Sequence, residues 1–226
     1  MARLPRVFSV FWASDSGLSL LNLFLIGLLF LAPAATGAGL LGRFLLDGVF
    51  ILILLAGVAV VTGARGPTLV IGAFAVIQLI TQVLRHVPGG VALETLNLLS
   101  TVLFLALMAA VVLIQVFRKG PINLHRIQGA IAVYMMIGVM WGCLYQAIQL
   151  NSPGAFLVLG LPSDSATRPE TLFYFSFVTL TTVGFGDVTP VHPLARSLAM
   201  MEALTGQLFP AILIARLVAM SIASRK

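Results

Sequence analysis

The stretch "TLTTVGFGD" runs from Thr179 to Asp187 and separates two long apolar segments of the chain. It places threonines, glycines and an aspartate in a row, although the chain as a whole is 60% hydrophobic and only 9% charged. Non-helical backbone at membrane depth is tolerated only where protein or water satisfies its polar groups. We therefore expect this stretch to line an aqueous path or to be buried in protein.

The composition places the chain in the membrane class. A soluble domain carries about a quarter charged residues, whereas this chain has 9% over 226 residues and a mean hydropathy of +1.10. Its formal charge of +6 does not indicate a nucleic-acid partner, because the basic residues stand singly at the ends of apolar runs. The single cysteine, Cys143, excludes an intrachain disulfide and a cysteine-based metal site.

Six apolar runs approach the ~20 residues that a spanning helix needs. We predict an all-α membrane protein with six transmembrane helices, over Leu18–Ala34, Phe44–Thr62, Pro67–Leu84, Ala92–Phe117, Ile127–Leu150 and Leu194–Ile222. The first run leaves an alternative open, because Arg3, Arg6 and the small residues of "LAPAATGA" also fit a secretory signal. Its apolar core is long for a signal, which favours a retained helix. Four residues, 223–226, follow the last run, so we expect no C-terminal ligand-binding domain.

The distribution of Lys and Arg predicts the orientation in the membrane. With the N-terminus inside, nine basic residues lie on the inner side, namely Arg3, Arg6, Arg65, Arg118, Lys119, Arg126, Arg216, Arg225 and Lys226. Four lie on the outer side, namely Arg43, Arg85, Arg168 and Arg196. We expect a multi-pass protein of the plasma (inner) membrane with both termini cytoplasmic and with residues 151–193 outside.

The segment before the glycine-rich stretch has the length of a short helix. Pro169 and Glu170 favour the first turn of a helix, and the following "TLFYFSFVTL" is apolar and aromatic. A helix from Pro169 to Thr181 has about three turns and cannot cross a bilayer. We therefore predict a re-entrant helix and loop between the fifth and sixth spans.

The sequence Thr181–Asp187, "TTVGFGD", resembles the selectivity-filter signature of the tetrameric potassium channels in its GFG form. Thr179 before it and Val188–Pro190 after it extend the resemblance. The resemblance implies a homotetrameric, potassium-selective channel of the bacterial type, which conducts passively, performs no enzymatic chemistry and needs no cofactor besides permeant K⁺. It divides the chain into a four-helix membrane domain at 1–119 and a pore domain at 120–226, which contains the outer helix, pore helix, filter and inner helix.

The resemblance also assigns roles to the residues of the motif. It implies that K⁺ binds to oxygens of Thr182, Val183, Gly184 and Phe185. Gly186 and Asp187 would lie at the outer mouth, and Thr181 would support the end of the pore helix. Four strands around an axis supply rings of carbonyl oxygens that replace the water around a cation.

Inward-facing carbonyls require successive residues to alternate between ordinary and left-handed backbone conformations. Glycine adopts the left-handed conformation without steric cost, so we assign it to Gly184 and Gly186. Val183 and Phe185 are then expected to point backward and pack against the pore helix, while the hydroxyl of Thr182 adds an innermost ring of oxygens.

The last run is predicted to be the inner helix and to carry the gate. Gly206 follows Gly184 by 22 residues, the spacing of the hinge glycine in the simple bacterial channels that the chain resembles. Helical spacing predicts a shared pore-lining face for Gln207, Pro210, Ile214 and Val218. Gln207 is expected beneath Thr182.

Two further residues of the inner helix are candidates for gating. Pro210 removes a helical hydrogen bond and is able to kink the helix. Glu202 is an ionisable group at membrane depth, where such groups are usually functional or paired. We expect it to face the back of the pore helix or filter and to meet threonine hydroxyls there.

The fourth run contains no Arg or Lys before Arg118 and Lys119 at its inner end. Without charges to move through the field, it cannot act as a conventional voltage sensor. Two rival functions remain: a non-selective or Na⁺-permeable channel of the same architecture, and a secondary transporter or membrane enzyme. The second rival is disfavoured because the chain shows neither two related halves nor clustered acid, base or metal groups.

Overall fold

The computed structural model describes residues 16–36, 48–53, 55–57, 67–84, 90–117, 124–160 and 168–223. The predicted boundary between residues 119 and 120, the signal-like residues before 16, and residues 44–47, 54 and 58–62 of the second run lie outside these ranges.

The described residues are mostly helical. The helices are α1 (Ser16–Thr36), α2 (Pro67–Leu84), α3 (Gly90–Val116), α4 (Leu124–Asn151), α5 (Pro169–Leu180) and α6 (Pro193–Ala223), and residues 48–53 and 55–57 are helical as well. The strands are β1 (Phe156–Val158) and β2 (Val188–Pro190).

Within this part of the chain, α3, α4 and α6 are long and apolar enough to cross a membrane. The helices α1 and α2 contain shorter apolar segments, at Leu18–Leu31 and Gly72–Thr81. The chain is therefore an all-α membrane protein, and the number of six spans stays a prediction.

A buried polar network joins α2 to α3. Gln78 Nε2 donates to Asn97 Oδ1 at 3.3 Å and to Thr101 Oγ1 at 2.6 Å, and Ser100 Oγ donates to Gln78 Oε1 at 2.7 Å. Polar side chains that face an apolar environment need such partners. The network holds these two helices together by hydrogen bonds in addition to apolar packing.

Two glycines of α4 allow the short helix α5 to pack closely against it. A Cβ at Gly138 would lie 2.6 Å from the ring of Phe177, and one at Gly142 would overlap the ring of Phe173. Both pairs are separated by four residues, so one glycine-lined face of α4 receives one aromatic face of α5. This packing fixes the position of α5 relative to α4.

A strand pair and an aromatic cluster join β1, β2, α4 and α5. β1 pairs antiparallel with β2, with Phe156 opposite Pro190 and Val158 opposite Val188. Tyr145 of α4, Phe156 of β1 and Phe175 of α5 meet edge to face, with ring centroids 5.1 to 5.5 Å apart. The segment that follows the glycine-rich stretch is thereby anchored to both α4 and α5.

Candidate functional site

The glycine-rich stretch follows directly from the C-terminus of α5. The Thr181 N–H donates to Phe177 O at 3.0 Å, and its hydroxyl donates to the same carbonyl at 2.7 Å. Beyond it, φ is +60° at Thr182, +57° at Gly184 and +78° at Gly186. Every second residue is thus left-handed, as the sequence predicts for the two glycines.

Thr182 is a third left-handed position, which the sequence analysis does not predict. A left-handed conformation costs a non-glycine residue roughly 1–2 kcal/mol. No sequence signal marks this position as left-handed, because threonine is a β-branched residue that ordinarily avoids it.

The amide groups at the start of the stretch point back towards α5. Thr182 N–H donates to Thr179 O at 2.9 Å, and the N–H groups of Val183 and Gly184 donate to Val178 O at 3.0 and 3.3 Å. Among the described residues, no backbone N–H reaches the carbonyl oxygens of residues 182–186. Within the described part of the chain, these oxygens are therefore left without a backbone donor.

Asp187 is held by donors to each of its oxygens. Tyr174 of α5 donates its hydroxyl to Asp187 Oδ2 at 2.8 Å, and Val188 N–H donates to Oδ1 at 3.1 Å. Leu159 N–H, just after β1, donates to the Asp187 carbonyl at 2.7 Å. Partial desolvation, followed by the hydrogen bond and the charge of Asp187, raises the pKa of Tyr174. The phenol therefore stays a proton donor at neutral pH.

Val183 and Phe185 do not pack as the sequence analysis expects. Their side chains are 55% and 69% exposed in the single chain rather than covered by the pore helix. Phe173 and Phe177 of α5 are themselves in contact with α4. The described residues of one chain therefore leave more than half of the Val183 and Phe185 side chains uncovered.

The helix α6 meets the glycine-rich stretch at two neighbouring residues, Gly206 and Gln207. Gln207 Nε2 donates to Thr182 Oγ1 at 3.2 Å, which is the adjacency expected from the sequence. Gly206 is buried, and a Cβ built on it would overlap the carbonyl oxygen of Leu180 at the end of α5. α6 runs unbroken for 31 residues through Gly206 and Pro210. Gly206 therefore allows α6 to approach the end of α5 closely, a role that the hinge hypothesis did not include.

Glu202 lies behind the stretch, between three helices. Its side chain is 0% exposed. Tyr145 of α4 donates its hydroxyl to Glu202 Oε2 at 2.5 Å, and Ser176 of α5 is hydrogen bonded to Oε1 at 2.6 Å. The expectation that it faces the pore helix agrees with these contacts, but its partners are a tyrosine and a serine rather than threonines.

The predicted gating set therefore divides between two faces of α6. Glu202 and Gly206, four residues apart, are buried towards α5. Gln207, Ile214 and Val218 are exposed in the single chain, and Pro210 is half-buried. The positions of Gln207, Pro210, Ile214 and Val218 are thus compatible with a pore lining. Glu202 and Gly206 do not lie on that exposed face.

The sequence analysis missed Tyr174, Tyr145 and the glycine pair of α4. The pair had a visible signal, because Gly138 and Gly142 form the G-x-x-x-G spacing that lets helices approach closely in membranes. The two tyrosines had none, because their roles depend on partners distant in sequence.

The family model described as "Ion channel" matches residues 149–222. Protein LctB of Bacillus caldotenax is 29% identical over 129 residues, which cover 51% of this chain and 92% of that protein. Protein LctB of Geobacillus stearothermophilus is 36% identical over 88 residues, which cover 37% of this chain and 62% of that protein. No solved structure gives a significant match. The matched region contains the strand pair, α5, the glycine-rich stretch and nearly all of α6, and it supports an ion channel with passive conduction.

Proposed function

We propose that the chain is one subunit of a homotetrameric, potassium-selective channel. The observation that carries this proposal is the left-handed backbone at Thr182, Gly184 and Gly186, directly after the 12-residue helix α5. Alternation of this kind turns successive carbonyl oxygens to one side of the strand. A ring of such oxygens replaces the hydration shell of a bare cation.

In this proposal the ion sites are built from main-chain oxygens of residues 182–185 and the hydroxyl of Thr182. Asp187 lies just beyond them, where its charge attracts cations towards the outer mouth. One chain supplies one strand, so a closed ring requires several copies around an axis. The number four is taken from the resemblance of the motif to the tetrameric channels.

Exposed apolar surface on the pore side supports the assembly. Val183 and Phe185 remain more than half exposed among the described residues of one chain. Only 6% of the apolar window of α6 is buried, against 39% for α3 and 50% for α4. Large exposed apolar patches mark contacts with protein or membrane. Neighbouring copies and lipid together are expected to cover this surface.

The remaining architecture follows the sequence analysis. We infer six spans per chain, with α5 and residues 181–187 re-entrant from the outer side and both termini cytoplasmic. The first four helices form a domain without gating charges, so opening depends only weakly on voltage. Permeant K⁺ is the only ligand that the proposal requires.

Recording from purified protein in planar bilayers, with KCl on one side and NaCl on the other, tests the proposal. We expect a reversal potential that follows the K⁺ gradient. Gly184→Ala should abolish this selectivity, because an alanine at φ +57° is strained. Gly72→Ala serves as the matched control, since a Cβ at Gly72 meets no atom within 4 Å.

Each rival function predicts a different result in the same preparation. A reversal potential near zero in the wild type would indicate a non-selective cation channel and contradict potassium selectivity. Coupled uptake of a solute against its gradient would indicate a transporter. Native mass spectrometry that found only monomers would contradict the tetramer.

A further inference from the structure

Glu202 occupies the point at which α6 meets both α4 and α5. Three short oxygen–oxygen contacts form a chain there. Tyr145 Oη lies 2.5 Å from Glu202 Oε2, Glu202 Oε1 lies 2.6 Å from Ser176 Oγ, and Ser176 Oγ lies 2.7 Å from the carbonyl oxygen of Gly138. The chain therefore connects the outer helix, the inner helix and the pore helix.

The number of protons shared by these three contacts determines whether Glu202 is ionised or protonated. Each oxygen–oxygen contact of this length needs one proton between its two atoms. The hydroxyls of Tyr145 and Ser176 carry one proton each, and the Gly138 carbonyl carries none. Two protons cannot serve three contacts, so an ionised Glu202 leaves one pair of oxygens facing each other without a proton.

A protonated carboxyl group completes the set. Tyr145 then donates to Oε2, the carboxylic acid donates from Oε1 to Ser176 Oγ, and Ser176 donates to the Gly138 carbonyl. Each donor has one acceptor, and each short contact has one proton.

Among the described residues, the surroundings of Glu202 offer hydroxyl donors but no cation that would balance its charge. Tyr145 touches it from α4, Tyr134 of the same helix lies within electrostatic range, and α5 contributes the hydroxyl of Ser176. Among the described residues, no Lys, Arg or His is paired with it. Burial of a carboxylate without a cation is costly, and such groups are normally neutralised.

We propose that Glu202 is a carboxylic acid in the folded protein and that its proton positions the pore helix behind the filter. The protonation follows from the contacts alone, whereas the effect on conduction rests on the proposed function. Ser176 lies one helical turn before Leu180, where α5 ends and the stretch of residues 181–187 begins. Loss of the proton removes one of three links that hold this turn between α4 and α6.

The direction of the pH dependence follows from proton linkage. A glutamate in the unfolded chain releases its proton near pH ~4.3, whereas the folded state retains it. The folded state therefore binds more protons, and its stability falls as pH rises above that value. The ordered filter, and with it K⁺ flux, is expected to be lost in the same direction, on the alkaline side.

Glu202→Gln separates the proton from the rest of the side chain. The amide has the same shape, accepts from Tyr145 through its oxygen and donates from its NH₂ group to Ser176 at every pH. We therefore expect this variant to fold, with its hydrogen bonds to Tyr145 and Ser176 unaffected by pH. Its flux should remain constant as pH rises, while that of the wild type falls.

Infrared difference spectra between the purified full-length wild type and Glu202→Gln test the protonation directly. The wild type at neutral pH should show the carbonyl stretch of a protonated carboxylic acid, and Glu202→Gln should lack it. Absence of this band from the wild type, or its persistence in the variant, would overturn the proposal. Because the measurement does not depend on conduction, it remains decisive even if no variant carries K⁺ and the proposed function fails.

K⁺ efflux from liposomes between mildly acidic and alkaline pH tests the positioning role. Superimposable pH profiles for wild type and Glu202→Gln would overturn it, even if the infrared band is present. Ser176→Ala is the second variant. It removes the hydroxyl that links Glu202 to the Gly138 carbonyl, and it keeps the carboxyl group of Glu202. We expect it to conduct less than the wild type at neutral pH and not to be rescued by acid. Wild-type flux in this variant would contradict a role for the Ser176 hydroxyl in positioning the pore helix.

Discussion

Replacement of Gly206 by alanine tests the close approach of α6 to the end of α5. The added Cβ would overlap the carbonyl oxygen of Leu180 and also lie 2.7 Å from its carbonyl carbon and 3.1 Å from its Cα. These are backbone atoms of a helix end, so no side-chain rotation relieves the clash. Either α6 must move outward or the last turn of α5 must shift.

The magnitude follows from two opposing effects. Overpacking costs typically 1–3 kcal/mol, and we take about 3 kcal/mol because the clash is with backbone. Alanine is favoured over glycine inside a helix by about 1 kcal/mol. We therefore expect a net loss of about 2 kcal/mol per subunit. Because Leu180 immediately precedes Thr181, the same shift should disturb the filter and reduce K⁺ flux.

Thermal unfolding in detergent and K⁺ efflux from liposomes measure the two consequences on one preparation. Gly72→Ala is the matched control, since a Cβ there meets no atom within 4 Å. The control should gain up to about 1 kcal/mol and conduct normally. If Gly206→Ala were as stable as Gly72→Ala and conducted like the wild type, the close-approach interpretation would be wrong. Normal stability with altered opening alone would instead favour a hinge.

Three further experiments test other contacts of the site. Tyr174→Phe removes the phenol donor to Asp187, which should cost about 1 kcal/mol and make currents decay faster during prolonged recording; an unchanged decay would contradict a supporting role. Gly142→Ala should lower the unfolding temperature because its Cβ overlaps Phe173. Phe173→Leu in the same chain should restore part of that loss. Additive effects of the two substitutions in a double-mutant cycle would exclude the contact. Thr182→Ser keeps the hydroxyl and should retain K⁺ selectivity in bi-ionic recordings. Thr182→Val removes the hydroxyl and should reduce conductance. Equal conductance in the two variants would show that the hydroxyl is dispensable.

The features that depend on local sequence were predictable. The bounds of α2 agree with the predicted Pro67–Leu84, and α5 begins at the predicted Pro169 and ends one residue before the predicted Thr181. Proline at the first helical position and a glutamate in the first turn are signals that act within a few residues. The left-handed backbone of Gly184 and Gly186 was predictable for the same reason, because glycine alone adopts it freely.

The features that depend on partners distant in sequence were not predictable. Glu202 meets Tyr145, which lies 57 residues earlier, and Tyr174 meets Asp187 across the end of α5. Hydropathy indicates that such side chains are in the membrane region, but it does not indicate which hydroxyl reaches which carboxyl group. Pairing of β1 with β2 likewise depends on a connection that brings the two segments together, and neither three-residue strand has a sequence pattern of its own.

Thr182 shows why the exception to local propensity is informative. A glycine would adopt φ +60° freely, yet this position carries a β-branched residue at a cost of roughly 1–2 kcal/mol. Two contacts offset part of that cost: the Thr182 N–H donates to Thr179 O, and its Oγ1 accepts from Gln207. Glycine would keep the first contact and lose the second. The hydroxyl is therefore the property that distinguishes threonine here, and strained residues of this kind cluster at functional sites. This argument favours a role for the hydroxyl in the contact with Gln207, and in the proposed channel that hydroxyl would lie at the inner end of the ion path.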